Sequence, residues 1–160
     1  MFALIIGIND YDLQSSSFRP LTGCIKDATD MRNYLLKNLG VPESQIRILL
    51  DDKAKRADII SAFLDIEADD RIKKGDPILI FFAGHGDETN APPGWHSGDL
   101  NNQIQMIIPK DYTPGPSNKI HGIPDLSLAV LLRKIANRHG DNIVSHFFWP
   151  PLEMTLNSFV

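Results

Sequence analysis

Three short, mainly apolar runs separated by helical patterns constrain the fold of this chain more than any other feature of its sequence. The runs cover residues 2–8, 46–50 and 78–83. Runs of this length and composition are typical of parallel strands that are buried on both faces of a sheet. Parallel neighbours need a crossover between them, and the intervening residues are long enough to supply a helix each time.

Helical periodicity supports this order of elements. Apolar residues recur at intervals of three and four in residues 26–39, 55–68 and 125–138, and a further strand begins at 142–144. The order predicts an α/β fold with a mostly parallel sheet and right-handed crossovers.

The segment 87–122 is different, because it is rich in Gly, Pro, Asn and Asp. We predict a long functional loop there, with a strand or hairpin arm at 104–108. One domain is predicted over residues 1–144. Residues 145–160 are predicted to be an atypical apolar tail, in which two adjacent prolines oppose regular structure.

Charge and cysteine content exclude several classes of partner. The 16 basic and 20 acidic residues give a net charge of −4, and without a concentrated basic face we expect no nucleic-acid partner. No apolar run is long enough to span a bilayer, so we expect no membrane partner. Cys24 is the only cysteine, which excludes an internal disulfide and suggests a reducing, cytoplasmic location.

His85 is the first candidate for chemistry. It lies between Gly84 and Gly86, directly after the apolar run 78–83. Chemistry in parallel sheets gathers at the carboxyl ends of the strands, and a glycine-rich turn there presents an imidazole to a crevice. The alternative is a turn histidine without a chemical role.

Several stretches together resemble a known family. FALIIGINDY, LTGCIKDATDMRNYL, GDPILIFFAGHGD and HGIPDLSLAVLLRKIANRHGDNI are similar, in order, to the caspase-like domain of metacaspases and their fungal relatives, which are cysteine peptidases (peptidase C14). The resemblance implies a three-layer α/β/α sandwich around a mostly parallel sheet, incomplete at its C-terminal end. It also implies a cysteine-type endopeptidase that acts on peptides or proteins.

The resemblance assigns His85 as the catalytic base and the backbone N–H near Gly86 to the oxyanion site. The family's nucleophile is a cysteine at the end of the next parallel strand, in a D-x-C-H-S-G-like motif. This chain reads SHFFWPPLE there, and no cysteine follows His85. We therefore expect an inactive or impaired peptidase. The alternatives are a pseudoprotease that binds peptides or related caspase-like chains, and a weak peptidase that uses Cys24.

The resemblance also implies a substrate pocket. Cys24 and Asp27 match the family's G-C-x-x-D residues, which line the pocket for the P1 side chain and imply a preference for Arg or Lys. Ala83 stands where many metacaspases carry serine, which weakens the match. Cys24 has two other interpretations, a small buried apolar residue and a surrogate nucleophile.

Calcium is the cofactor that some metacaspases bind, and Asp125 is the weak candidate for it here. Asp125 is equally well interpreted as a helix N-cap. The other acidic side chains of this region, at positions 87, 88, 99 and 111, are interpreted as solvated loop carboxylates. His96 and His121 lack a short metal-ligand spacing, and His139 is interpreted as a helix C-terminal charge.

Self-association is a further expectation. If the sheet ends at the strand that begins near residue 142, its edge and the neighbouring helix faces remain apolar and exposed. Such a surface favours association with another copy or with a related caspase-like chain.

Overall fold

The computed structural model describes residues 1–12, 19–92, 94–95, 102–113 and 120–148. Its helices and strands, numbered in chain order, are β1 (Phe2–Gly7), α1 (Cys24–Lys37), β2 (Ile46–Leu50), α2 (Arg56–Ala68), β3 (Ile78–Ala83), β4 (Gly86–Asn90), β5 (Gln103–Ile107), β6 (Ile123–Pro124), α3 (Asp125–His139) and β7 (Ile143–Phe148). Short 3₁₀ turns at 43–45 and 51–53 flank β2.

The main sheet is parallel throughout, with the strand order β2-β1-β3-β7. Gly7 at the end of β1 pairs with Leu50 of β2 and with Ala83 of β3, and Ala83 pairs with Phe148 of β7. All four strands therefore end at one edge of the sheet, and the predicted α/β fold is confirmed.

Helices cover both faces of this sheet. Alternate residues of β1 and β3 pack with α2 and α3 in the larger cluster, whose centre is Leu4, Ile6, Phe63, Ile80 and Phe82. The intervening residues pack with α1 on the other face, in the cluster of Ala3, Ile5, Cys24, Ala28, Leu35, Phe81 and Ala83. The period of two along each strand thus builds the predicted three-layer sandwich.

The contact between α1 and the sheet is close at Gly7. A Cβ atom at this position would lie 2.7 Å from Cβ of Ala28 and 2.8 Å from the carbonyl oxygen of Cys24. The absence of a side chain at Gly7 therefore brings the N-terminus of α1 directly onto the end of β1.

A small antiparallel sheet follows His85. Gly86 pairs with Ile107 as β4 and β5 form a hairpin, and β5 then pairs with β6. The predicted strand at 104–108 is confirmed within one residue. The strand β4 was not predicted, because GDETN is polar and offers no apolar alternation; it is held by backbone pairing with β5.

The last strand extends further than its sequence indicates. Residues 145–148, predicted to begin the apolar tail, continue β7 in register with β3. Backbone hydrogen bonding between strands does not require a particular side chain at an edge position. In addition, the Phe147 ring packs against Phe82, with ring centroids 6.4 Å apart. The remaining tail, from Trp149 onward, lies outside the described residues.

His139, predicted as a helix C-terminal charge, is the last residue of α3 and links it to α2. Its side chain is buried, and Nε2 donates to the backbone carbonyl oxygens of Ile66 and Glu67 at 3.1 and 2.9 Å. These carbonyls lie in the last turn of α2, where the Ile66 oxygen also accepts from the N–H of Asp69 at 3.3 Å, so His139 links the ends of two helices. No helix in the described part of the chain is long and apolar enough to cross a membrane.

Candidate active site

His85 occupies the turn between the end of β3 and the start of β4. Its backbone carbonyl oxygen accepts a hydrogen bond from the N–H of Ile108 at 3.0 Å. Its backbone N–H donates to the hydroxyl oxygen of Tyr11 at 2.7 Å. The main chain of His85 is therefore fixed from both sides, and its ring is half-buried at the carboxyl edge of the sheet.

The imidazole is oriented by a backbone carbonyl group. Nε2 of His85 lies 2.8 Å from the carbonyl oxygen of Arg19. A carbonyl oxygen only accepts hydrogen bonds, so this geometry places the ring proton on Nε2. In the neutral ring, Nδ1 then carries the lone pair, which is the property that a general base requires.

The turn after β1 organises the start of α1. Oδ1 of Asn9 accepts hydrogen bonds from the backbone N–H groups of Cys24 and Ile25 at 2.9 and 3.3 Å. Oδ1 of Asp51, at the end of β2, accepts from the N–H groups of Asn9 and Asp10 at 2.8 and 3.1 Å. Three chain segments are thus tied together beside the predicted pocket.

The contacts of Asn9, Tyr11 and Asp51 were not predicted from the sequence. The signal available for the first two was their position in GINDY, directly after a predicted buried strand. Polar residues at the carboxyl end of a parallel strand commonly form hydrogen bonds with the neighbouring loops.

The three predicted pocket residues lie at the same end of the sheet. Cys24 and Ala83 share the apolar cluster beneath α1, whereas Asp27 is exposed in the first turn of that helix. The Cys24 side chain is only 4% exposed. Burial, and after it the nearby Asp27 carboxylate, raise the pKa of the Cys24 thiol to about 11. A thiol in this state is a poor nucleophile at neutral pH.

Asp125, the weak calcium candidate, is not part of a metal-binding group in the part of the chain that the structure describes. Within those residues, no group of three or more His, Cys, Asp or Glu side chains is placed to hold a metal ion. Asp125 is the first residue of α3 and not its N-cap, which is Pro124. Asp111 accepts a hydrogen bond from the N–H of Arg56 at 2.8 Å. His96 and Asp99 lie outside the described residues.

The end of β7 lies next to the histidine turn. The N–H of Gly84 donates to the carbonyl oxygen of Phe148 at 3.2 Å. The family's cysteine is expected directly after this strand, and the residues that follow are Trp149 and Pro150, outside the described region. An apolar depression of about 170 Å³ lies behind β7, lined by residues that include Met106, Leu128, Leu132 and Phe147.

A parallel sheet covered on both faces, with an oriented imidazole at its carboxyl edge, defines an α/β domain suited to base catalysis. The chain belongs to the caspase-domain family of peptidases, whose model matches residues 1–134. The resemblance drawn from the sequence motifs is thereby confirmed.

Its curated relatives are metacaspases. Metacaspase-1B of Aspergillus oryzae is 31% identical over 140 residues, which are 83% of this chain and 30% of the relative. Metacaspase-1 of Saccharomyces cerevisiae is 32% identical over 130 residues, 76% of this chain and 28% of the relative. Metacaspase-6 of Arabidopsis thaliana is 31% identical over 114 residues, 68% of this chain and 29% of the relative. The chain therefore spans less than a third of these proteins.

A solved structure shares the fold. The crystal structure of a protein from Geobacter sulfurreducens matches 90% of this chain and 47% of its own, with a TM-score of 0.63 and 22% sequence identity. At this identity the likeness supports the fold alone.

Proposed function

We propose that this chain is the base-bearing part of a caspase-like cysteine endopeptidase domain and does not hydrolyse peptide bonds by itself. One observation carries the proposal. His85 lies at the carboxyl end of β3 with its ring oriented by the Arg19 carbonyl, whereas Trp149 and Pro150 follow β7, where the family places its nucleophilic cysteine.

The base role follows from the chemistry of a thiol peptidase. In the family's reaction, the imidazole takes the proton of a cysteine thiol, and the thiolate sulfur attacks the substrate carbonyl carbon. The same proton is then given to the leaving amine as the C–N bond breaks, and water hydrolyses the thioester. Nδ1 of His85 is the nitrogen suited to this transfer, and the backbone N–H near Gly86 is the proposed oxyanion donor.

The thiol for this reaction is missing from its expected place. Cys24 is the only cysteine in the sequence, and its burial and raised pKa oppose the formation of a thiolate at neutral pH. The peptidase reaction therefore lacks its first step in this chain. A reducing compartment such as the cytoplasm suits the single free thiol.

Peptide recognition is the property that the chain is proposed to retain. Asp27 is exposed in the first turn of α1 near Cys24, and a carboxylate at this position is suited to a substrate with Arg or Lys at P1. We propose that Asp27 forms the exposed wall of the substrate pocket, with the buried Cys24 and Ala83 beneath it.

A second candidate function is a pseudoprotease that binds a related caspase-like chain or a second copy. The position of β7 favours it. Among the strands that the structure describes, β7 is an outer strand of the main sheet, with Val144 62% exposed and Phe148 51% exposed. An exposed strand edge with apolar side chains is suited to adding a strand from a partner.

The experiment compares turnover with binding. The purified chain is incubated with a fluorogenic peptide that has Arg at P1, and separately with an electrophilic peptide ketone followed by mass spectrometry. We expect no turnover above a blank and no covalent adduct at Cys24. A non-cleavable Arg peptide is expected to bind saturably and to lose affinity in Asp27→Asn. Asp30→Asn, which changes another exposed acid of α1, is the matched control.

Turnover that is lost in both Cys24→Ala and His85→Ala would overturn the proposal in favour of catalysis by Cys24. Equal affinity of the Arg peptide for the wild-type chain and for Asp27→Asn would contradict the proposed pocket. Sedimentation of the chain over a range of concentrations tests the pseudoprotease alternative, which requires a dimer or a complex with a related chain.

A further inference from the structure

Tyr11 connects two turns that are far apart in the sequence. It lies in the turn after β1, and its hydroxyl oxygen accepts the hydrogen bond from the N–H of His85 in the turn after β3, at 2.7 Å. Its ring also lies against the imidazole, with ring centroids 5.0 Å apart and planes inclined by 49°. One tyrosine thus contacts both the main chain and the ring of the proposed base.

The turn is shaped to receive this hydroxyl group. A Cβ atom on Gly84 would lie 2.8 Å from the hydroxyl oxygen of Tyr11 and 2.8 Å from Cζ of Phe82. Glycine at this position leaves the space that Tyr11 occupies. The AGHG and GINDY motifs are therefore complementary parts of one arrangement.

Packing against the core holds the Tyr11 ring in place. Its ring packs against the main apolar cluster and against the smaller cluster of Met106, Ile108 and Tyr112. Burial raises the pKa of the Tyr11 hydroxyl well above its ordinary value, and the nearby Cys24 and Asp51 add to this effect. The hydroxyl is consequently a neutral group held in place over the working pH range, which suits an acceptor for a backbone N–H.

We propose that Tyr11 is a positioning residue that holds the His85 imidazole in the orientation in which Nε2 donates to the Arg19 carbonyl oxygen. The hydrogen bond fixes the main chain from which the ring projects, and the tyrosine ring limits rotation on one side of the imidazole. Together they favour the tautomer in which Nδ1 carries the lone pair. This inference rests on the proposed function only in taking His85 as the base, because the positioning itself is independent of turnover.

The experiment observes His85 directly. Nuclear magnetic resonance of the ¹⁵N-labelled chain reports the tautomer from the chemical shifts of the two ring nitrogens, and His85→Gln assigns the signals among the five histidines. In Tyr11→Phe we expect the His85 amide to exchange with solvent about tenfold faster, the effect of losing one hydrogen bond. We also expect the two ring nitrogen shifts to move towards each other as the tautomers mix.

Tyr34→Phe is the matched control, since Tyr34 is 52% exposed on α1 and lies outside this arrangement. It is expected to leave both readouts unchanged. A tyrosine that served only the core would alter unfolding while leaving the tautomer of His85 as in the wild type, and that result would overturn the inference. Equal shifts in both variants would overturn it as well.

The wild-type chain provides a test that does not depend on the folding of a variant. There we expect the His85 amide to exchange at least about 100-fold more slowly than in an unstructured peptide, and Nε2 to be the protonated ring nitrogen. An unprotected amide or an Nδ1–H tautomer would refute the inference. Because none of these measurements needs catalysis, absence of peptide binding or turnover would count against the proposed function and leave the role of Tyr11 standing.

Discussion

The two strand ends that meet at the candidate site differ in how they are built. At the end of β3, the main chain and ring of His85 have partners from three other parts of the chain, at Tyr11, Arg19 and Ile108. At the end of β7, the carbonyl oxygen of Phe148 accepts from the N–H of Gly84, and the Phe148 side chain is half exposed. The described contacts that orient the His85 imidazole therefore come from parts of the chain other than β7.

Under the proposed function, this separation accounts for an oriented imidazole in a chain without the family's cysteine motif. None of the hydrogen bonds to His85 described above comes from β7. The neighbouring Gly84 contacts that strand, through its bond to the Phe148 carbonyl oxygen. A change in the sequence after β7 would therefore leave in place the described groups that orient the His85 imidazole.

The largest expected effect is the difference in unfolding free energy between truncating a phenylalanine on β3 and truncating one on β7. Phe82 of β3 is fully buried, and Phe82→Ala should lower the free energy of unfolding by ~3–5 kcal/mol because it leaves a cavity in the core. Phe148→Ala on β7 should cost less than ~1 kcal/mol because that side chain is already half exposed. Urea unfolding followed by circular dichroism measures both values.

Equal losses in the two variants would contradict this contrast. They would mean that Phe148 is covered by residues beyond those described, and that β7 belongs to the core as firmly as β3 does.

The next effect concerns whether Cys24, at the start of α1, is reactive enough to act as a nucleophile. With the pKa of Cys24 raised to about 11 from an ordinary 9.0, the thiolate fraction at pH 8 falls about 100-fold. Alkylation of the folded chain by iodoacetamide should be slower by at least this factor than in urea. Mass spectrometry at several times measures the rate.

The sign of the pH dependence follows from the same shift. A thiol whose pKa is higher in the folded state holds its proton more tightly there, so its contribution to stability is present below pH 9 and is lost as the pH rises towards 11. The alkylation rate of the folded chain should accordingly rise through pH 9–11. A plateau already reached at pH 8 would show a reactive thiolate and would return Cys24 to consideration as a nucleophile.

The sequence was sufficient for the parts of the fold that depend on burial. The strands β1 and β3 are apolar on both faces, so composition alone located them, and the AGHG turn followed as the end of a strand. The polar strand β4 and the SHFF half of β7 were not predictable in this way, because backbone pairing with a neighbour holds them. The contacts of Asn9 and Tyr11 were equally hidden, since they join residues far apart in sequence and leave no periodic signal.

The smallest expected effect concerns Asn9, which lies in the turn after β1 and contacts the N-terminus of α1. Its Oδ1 is the acceptor for the first N–H groups of α1, which have no partner within the helix. Asn9→Ala should therefore destabilise the fold by about 1 kcal/mol, the usual value for a lost N-cap, and should speed amide exchange at Cys24 and Ile25. Asn38→Ala, at the exposed C-terminal end of the same helix, should change stability by less than ~0.5 kcal/mol. Unchanged exchange at Cys24 in Asn9→Ala would show that another group caps the helix. The predicted pocket would then be organised independently of the GINDY turn. The contacts at the end of β1 would in that case stabilise the fold no more than those at the end of β7.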